Sequence, residues 1–213
     1  MMSLSQIISR RSFERKQPVR EATKVFIFSE GKRREYDYFN YFVELDSRIN
    51  VIVNQLEGEE DNSPTGLYQM ACDSLCGEEP EYEVLEGDQI WIVCDTDTWG
   101  DKIVEVRTAL KNKKDWYMAQ SNLCFEVWLY YHFLSDFPDM ERAEQIGWKQ
   151  YVNEVIPGGF NSTKHPSLLP KATANAKLHF RADVSGCSMP GSTEVYLLGE
   201  VLLSYIGESL PGE

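Results

Sequence analysis

The stretch QIWIVC at residues 89–94, which runs directly into Asp95-Thr96-Asp97, is the strongest indication of the fold class of this 213-residue chain. Its apolar residues show no alternation with polar ones, which predicts a strand that is covered on both faces, as in a parallel sheet. The run TKVFIFS at residues 23–29 has the same character and stops at Glu30-Gly31. Two such strands, each followed by acidic residues, predict a sheet with negative charge at its carboxyl edge.

Helical and extended patterns alternate on either side of these two strands. Extended runs occupy residues 49–54 and 115–120. Helical spacing of apolar residues marks three segments, 33–45, 66–76 and 124–134, and an amphipathic helix that contains Ile103, Val106 and Leu110. Strands that alternate with helices indicate an α/β fold with a parallel sheet of about four strands and helices on both faces.

The chain divides into three parts by composition. Residues 1–22 form a basic N-terminal arm, and residues 23–135 form the α/β core, with an acidic insertion at 55–88. Strand signals stop after residue 135, so residues 136–213 are expected to form a helical C-terminal region packed on the core. Its helices are predicted at 139–155, 167–182 and 193–206.

The overall composition is that of a globular protein. Hydrophobic residues make up 42% and charged residues 26%, which excludes a disordered or fibrous chain. The net charge of −13 argues against a general nucleic-acid coat protein. No apolar run approaches the ~18 residues that span a membrane, and the N-terminus lacks the apolar stretch of a signal peptide. Five scattered cysteines are typical of a reducing compartment, so we expect a cytoplasmic protein.

Two basic segments interrupt the acidic body. Residues 10–34 carry nine Lys and Arg residues against three Glu, and residues 164–181 carry four basic residues and no acid. If the two segments meet in space they can bind phosphate locally, whereas the simpler alternative for a basic arm is a solvated tail. The side chains expected to contact nucleic acid are Lys32, Arg33, Arg34, Lys164 and Lys177.

Three carboxylates are expected to converge at the carboxyl edge of the sheet, where open parallel sheets bind ligands. Glu30 follows one strand, and Asp95 and Asp97 follow another, with residues i and i+2 on the same side of the pleat. Three carboxylates at one place repel one another unless a cation neutralises their charge. Mg²⁺ is suited to this role because it binds carboxylate oxygens and the phosphate of a substrate. The alternative is that these acids only cap the following helices. Gly31 would allow a phosphate or the backbone to approach closely.

Four further residues are candidates for supporting roles at this edge. Glu126 lies in the apolar run CFEVWLYY, where an unpaired charge is costly, so it is expected to be a fourth metal ligand or the partner of one. Ser121 and Asn122 follow the fourth predicted strand, although Asn122 is equally suited to cap the next helix. His132 is the last candidate, and a hydrogen-bonded core histidine is the simpler interpretation of it.

Several stretches resemble the RloB family of bacterial anti-phage proteins. FIFSEGKRREYDYF (26–39), IWIVCDTDTW (90–99) and AQSNLCFEVWLYYHF (119–133) are similar to family blocks, and the third is the most specific. KATANAKL (171–178) and MPGSTEVYLLGEVL (189–202) resemble the family's basic helix and closing helix. A strand ending in Glu-Gly followed by a strand ending in Asp-x-Asp is also the pattern of the Toprim fold of topoisomerases, primases and OLD-family nucleases.

The resemblance implies a metal-dependent phosphodiesterase, a nuclease, that acts in phage defence with an ABC- or AAA-type ATPase encoded nearby. It implies that Glu30 is a general base or metal ligand and that Asp95 and Asp97 bind Mg²⁺ or Mn²⁺. Lys171, with Lys177 as a weaker companion, would add positive charge in the transition state. DNA and structured RNA such as transfer RNA both remain possible substrates, and a homo-oligomer is compatible with the sequence.

Two other functions remain as alternatives. Asp95-Thr96-Asp97 also resembles the Asp-x-Asp-x-Thr motif of haloacid-dehalogenase-type phosphatases, but it follows the third strand here, and Trp99 occupies the threonine position. The chain could instead be a regulatory or sensor subunit that docks an ATPase without turnover. Its acidic surface suits a compact target such as a structured RNA better than a long duplex.

Overall fold

A five-stranded, mostly parallel sheet forms the centre of the protein. The computed structural model describes residues 22–56, 61–97 and 99–210, so the predicted arm of residues 1–22 lies outside the description except for Ala22. The strand order is β2-β1-β3-β4-β5. The strands are β1 (Thr23–Ser29), β2 (Ile49–Asn54), β3 (Gln89–Asp95), β4 (Trp116–Asn122) and β5 (Ser192–Thr193). The first four are parallel and confirm the predicted α/β fold, whereas the antiparallel β5 was not predicted.

Helices cover both faces of the sheet. They are α1 (Arg34–Asn40), α2 (Pro64–Cys76), α3 (Gly100–Leu110), α4 (Glu126–Tyr131), α5 (Met140–Ile146), α6 (Trp148–Val155), α7 (Leu169–His179) and α8 (Val195–Ile206), with a 3-10 helix at His165–Leu168. The single helix expected at 139–155 is divided into α5 and α6 at Gly147, whose φ of +84° is incompatible with a continuous α-helix.

The strand residues alternate between two hydrophobic cores. Val25 and Ile27 of β1 face the core that contains α1, α4, α6, α7 and α8. Phe26 and Phe28 face the core that contains α2 and α3. Both sets are fully buried, as expected for uninterrupted apolar strands with helices on each side. The C-terminal helices α6, α7 and α8 therefore share a core with the sheet.

The acidic insertion contains one helix and one loop. The helix α2 begins at Pro64, two residues before the predicted segment 66–76, and its N-cap is Ser63, whose Oγ accepts the N–H of Gly66. Residues 77–88 form a loop. At its end the carboxylate of Asp88 accepts N–H groups from Lys24 and Leu85, which fixes the entry into β3 next to β1.

None of the helices in the described part of the chain is both long enough and apolar enough to cross a membrane.

Candidate functional site

The carboxyl ends of β1 and β3 lie side by side and bring Glu30 and Asp95 together. The two strands are paired in parallel, with Ser29 opposite Val93. Glu30 follows β1 and donates its N–H to the carbonyl of Val93 at 3.2 Å. Because Asp95 is the last residue of β3, the acids that end the two strands meet at one point of the sheet edge.

Two neutral donors hold the carboxylate of Glu30. Its Oε2 accepts the backbone N–H of Asp95 at 3.2 Å, and its Oε1 accepts the indole N–H of Trp99 at 3.2 Å. Burial raises the pKa of Glu30, and the charge of Asp97 adds to this, while the two hydrogen bonds act in the opposite direction. Glu30 therefore lies within reach of both residues of the Asp-x-Asp motif.

Asp95 lies in the middle of a group of acidic side chains. Burial raises the pKa of its carboxyl group well above the ordinary value, and the charges of Glu35, Glu30 and Glu126 raise it further. The backbone N–H of Phe125 opposes these effects. We use the name acidic cluster for the four residues Glu30, Glu35, Asp95 and Glu126.

Glu35 is the member of the acidic cluster that the sequence analysis missed. It belongs to the first turn of α1, and only 8% of the residue is exposed. Burial is the main cause that raises its pKa to about 7, and the charges of Glu126 and Glu30 contribute. A signal for it was available, because an acid in the first turn of the helix that follows β1 must lie near the carboxyl edge of the sheet.

Gly31 makes room for the carboxylate of Glu35. A Cβ atom built on Gly31 would lie 1.5 Å from Glu35 Oε2 and 2.2 Å from Glu35 Cδ. Any side chain at position 31 would therefore displace the Glu35 carboxylate. A phosphate or the backbone was expected to approach Gly31 closely, and in the structure the group that does so is the carboxylate of Glu35.

Arg34 supplies a positive charge within the acidic cluster by forming an ion pair with Glu126. Glu126 opens α4, and its side chain is 16% exposed, against 35% for Arg34. The partner of this glutamate in the described residues is therefore an arginine, whereas a metal ligand or the partner of one was expected. Arg34 was expected to contact nucleic acid, but its guanidinium is already engaged by Glu126.

Asp97 is placed differently from Asp95. The strand β3 ends at Asp95, and Asp97 lies in the following turn with a φ of +27° and an exposed side chain. The argument that both carboxylates share one side of the pleat therefore does not apply, because the pleat has ended. The N–H of Asp97 donates to the carbonyl of Leu123 at 3.2 Å, which ties this turn to the end of β4.

Ser121 and Asn122 belong to β4 itself rather than to the loop after it. Ser121 pairs with Asp95 in the sheet, and its hydroxyl is 2.8 Å from that of Thr193 in β5. The side-chain amide of Asn122 donates to the carbonyl of Ser188 at 2.6 Å, and no side chain caps α4. Both residues thus support the edge of the sheet beside Asp95.

His132 is a buried histidine of the core. Its Nδ1–H donates to the carbonyl of Trp128 at 3.0 Å, and its Nε2 accepts the hydroxyl of Tyr38 at 3.0 Å. Burial lowers its pKa to about 3, so the ring is neutral at physiological pH. These bonds join α4 to α1, and none of the bonds of His132 in the described residues reaches a carboxylate of the acidic cluster.

Lys171 lies in the first turn of α7, and its side chain is exposed. Among the described residues, no hydrogen bond or ion pair joins it to the acidic cluster. The role of Lys171 in the transition state therefore stays a prediction.

The other predicted basic contacts fall into two groups. Lys32 and Arg33 are exposed beside Glu30-Gly31, where α1 begins. Lys164 is exposed before the 3-10 helix, while Lys177 forms an ion pair of 2.6 Å with Glu200 of α8. A basic residue that was not predicted, Lys102, lies over the ring of Trp99, 4.5 Å from its centroid. Lys32 and Arg33 thus directly precede α1, and Lys102 belongs to the first turn of α3.

The acidic cluster suits a divalent cation by its chemistry. Burial raises the pKa of Glu30, Glu35 and Asp95, and the charges of neighbouring acids raise each pKa further. For Glu30 this neighbour is Asp97, and for Glu35 and Asp95 the neighbours belong to the acidic cluster. A cation bound among these acids would relieve the repulsion. In residues 22–56, 61–97 and 99–210, however, no three His, Cys, Asp or Glu side chains are arranged as a finished metal site. The predicted ligand set of Glu30, Asp95, Asp97 and Glu126 is not preformed, because Asp97 is exposed beyond the strand and Glu126 is paired with Arg34.

Comparison with known proteins identifies the family. No curated protein and no solved structure matches the chain. A family model described as RloB-like protein matches residues 25–202, which is most of the chain. The matched region begins within β1, ends within α8 and contains the whole acidic cluster. The chain therefore belongs to the RloB-like family.

Proposed function

We propose that this protein is a divalent-metal-dependent phosphodiesterase that cleaves nucleic acid. The observation that carries the proposal is the meeting of Glu30 and Asp95 at the ends of two adjacent parallel strands, with Glu35 and Glu126 beside them. Carboxylates gathered at this edge are the usual means of holding Mg²⁺ or Mn²⁺ next to a phosphate. The likeness of the two acid-ended strands to the Toprim pattern supports the same interpretation.

Different acidic residues are assigned different roles in this reaction. Asp95, Glu30 and Glu35 would hold the cation, which would polarise the phosphoryl oxygen and stabilise the charge on the attacking and leaving oxygens. Glu30 keeps a fixed orientation through its two N–H donors. Asp97 is exposed next to Glu30 and is placed to reach either the cation or the nucleophile.

Basic side chains at the rim would bind the substrate backbone. Lys32 and Arg33 are exposed just before α1, and Lys102 lies over the ring of Trp99. They would act beside Lys171, whose role remains part of the proposal. Because the net charge of the chain is −13, a local basic rim favours a compact target such as structured RNA over a long duplex.

The biological setting is proposed from the family. RloB-like membership and the resemblance to anti-phage proteins support a role in phage defence with an ABC- or AAA-type ATPase partner. No Gly-x4-Gly-Lys-Ser/Thr motif is present in the sequence, so ATP binding of the P-loop type would belong to that partner.

The decisive experiment is cleavage of plasmid DNA and total RNA by the purified chain with Mg²⁺ or Mn²⁺, alone and with the neighbouring ATPase. Asp95→Asn keeps the shape of the side chain and removes its charge, so it should abolish cleavage. The same change should raise the melting temperature, because it relieves repulsion in the acidic cluster. Glu144→Gln, on the exposed face of α5, is the control and should change neither property.

Three results would point elsewhere. Unchanged cleavage by Asp95→Asn would assign the activity to another site or to a contaminant. Turnover of a small aryl phosphate would favour the haloacid-dehalogenase-type phosphatase. A wild-type chain that cleaves nothing, yet binds the ATPase and alters its rate, would favour the regulatory subunit.

A further inference from the structure

Trp99 contacts Glu30 across the candidate site. Its indole Nε1–H donates to Glu30 Oε1 at 3.2 Å, while the backbone N–H of Asp95 donates to Oε2 at 3.2 Å. Each oxygen of the carboxylate therefore receives one donor, and the plane of the carboxylate is held from two sides. Because a carboxylate offers about four acceptor positions, each oxygen keeps one for a further partner.

The neutrality of this donor matters for the chemistry of the site. A lysine or arginine at position 99 would form an ion pair with Glu30 and compete with any metal cation for its charge. An indole N–H restrains the same oxygen and leaves the negative charge of Glu30 in place. Trp99 thus orients an anionic ligand without neutralising it.

The indole of Trp99 is itself held in place. Its backbone N–H donates to the carbonyl of Thr96 at 2.8 Å, and its own carbonyl accepts the N–H of Ile103 at 3.0 Å, in the first turn of α3. The ring packs against the core formed with α2 and α3, and Lys102 Nζ lies over it at 4.5 Å, a cation–π contact. The donor position is therefore set by the turn, the helix and the core together.

We infer that Trp99 is a positioning residue that restrains the Glu30 carboxylate at the carboxyl edge of the sheet and leaves its charge and its remaining acceptor positions open to a cation. This inference rests on the proposed function, because it gives Trp99 a part in the same site. Partners that orient a metal ligand in this way contribute about 10- to 100-fold to metal affinity or activity. Trp99 directly follows the Asp-x-Asp-Thr stretch, so one short segment supplies both the acids and the group that orients Glu30.

The test uses Trp99→Phe, which keeps an aromatic ring under Lys102 and removes the N–H. Trp116→Phe is the matched control, since that ring also lies under a lysine (Lys113 Nζ at 4.1 Å) but belongs to the opposite end of the sheet, where β4 begins. Mn²⁺ affinity, measured by electron paramagnetic resonance, should fall about 10-fold in Trp99→Phe and remain unchanged in Trp116→Phe. Melting curves verify that both variants are folded.

A second measurement detects the contact without metal or substrate. The indole ¹H–¹⁵N signal of Trp99, assigned by its loss in Trp99→Phe, should move in Glu30→Gln, because a neutral acceptor replaces a charged one. The signals of the other tryptophans should stay in place. In cleavage assays, Trp99→Phe should lower kcat by about 10- to 100-fold and leave KM nearly unchanged.

The outcomes separate this inference from the proposed function. An unmoved Trp99 signal in Glu30→Gln, or wild-type Mn²⁺ affinity and kcat in Trp99→Phe, overturns the positioning role and leaves the nuclease proposal standing. A moved signal and weakened Mn²⁺ binding, in a protein that cleaves no nucleic acid, support the positioning role and overturn the nuclease proposal. A wild-type chain that binds no Mn²⁺ at millimolar concentration overturns both.

Discussion

The carboxylate of Glu35 lies against the Cα of Gly31, so close that a Cβ atom on Gly31 would be 1.5 Å from Glu35 Oε2. The first turn of α1 therefore folds back over the Glu30-Gly31 pair that ends β1. This contact brings a fourth carboxylate into the site and explains why a residue without a side chain follows Glu30.

Gly31→Ala should lower the activity of the protein without lowering its stability. The colliding atoms belong to the end of a flexible side chain, so the protein should fold with a nearly unchanged melting temperature while the Glu35 carboxylate moves aside. A displacement of about 1 Å at a reacting group lowers the rate by up to about 100-fold. Gly100→Ala is the control, because its added Cβ meets nothing within 4 Å, and it should retain full activity. Equal activity of the two variants would show that the position of Glu35 is irrelevant to the reaction.

Glu35→Gln should stabilise the metal-free protein in a pH-dependent way. The pKa of Glu35 is about 7 in the folded protein, against 4.5 for an unperturbed glutamate, so the folded state binds more protons between these values. Stability of the wild type therefore falls as the pH rises from about 4.5 to about 7, by at most about 3 kcal/mol from this group. Urea unfolding with a chelator present should show a large gain for Glu35→Gln at pH 8 and a small one at pH 5.

The exposed Glu105→Gln is the control for that measurement and should show little change at either pH. A gain for Glu35→Gln that is the same at pH 5 and pH 8 would contradict the raised pKa.

His132 should make the protein sensitive to mild acid. The pKa of His132 is about 3 in the folded protein, against 6.5 for an unperturbed histidine. Between these two pH values the ring is protonated in the unfolded chain and neutral in the folded protein. The stability due to this group is complete above pH 6.5 and is lost as the pH falls, by about 2 kcal/mol at pH 5. His132→Leu should be less stable at pH 7, because the Tyr38 hydroxyl loses its acceptor.

The informative quantity is the difference in unfolding free energy between the wild type and His132→Leu at pH 7 and at pH 5. Other titrating groups, Glu35 among them, affect both proteins alike and cancel in this difference. The gap between the two proteins should narrow by about 2 kcal/mol at pH 5. If this difference is the same at pH 7 and at pH 5, the ring of the folded protein takes up a proton between these pH values as readily as the ring of the unfolded chain.

Arg33 and Lys177 should differ in their contribution to nucleic-acid binding. Arg33 is exposed next to the acidic cluster, whereas the ammonium of Lys177 is paired with Glu200 on the surface of α7 and α8. A basic residue that binds a phosphate adds about one unit to the slope of log K against log salt concentration. Arg33→Gln should therefore reduce that slope by about one, and Lys177→Gln should leave it unchanged. The reverse order would place the substrate on the α7 side of the molecule.

The four parallel strands could be predicted because each is marked within its own residues. The apolar runs 23–29 and 89–94 predict buried strands from composition alone, and both appear within one residue of the expected bounds. The strand β5 is different, since it has two residues and exists only because Ser192 and Thr193 meet the end of β4. Pairing of that kind depends on tertiary contacts, so the local sequence pattern does not predict it.

The candidate site was predictable where it depends on strand ends. Glu30 and Asp95 follow apolar runs, and parallel pairing then brings them together. Glu35 was missed because helical spacing shows which residues are buried but not that a buried acid faces the site. The role of Lys171 stays a prediction, since the sequence contains no information on which end of α7 approaches the sheet.

The antiparallel strand β5 limits where the chain can be truncated. It covers the outer side of β4 at Ser121 and Asn122, beside Asp95, with residues that come some seventy positions later in the sequence. A fragment that stopped near residue 135 would leave the backbone groups of this border open to solvent and to other chains. An uncovered border of this kind pairs with strands of neighbouring molecules, so the truncated product should aggregate. The region after residue 135 therefore protects this edge of the sheet from intermolecular pairing.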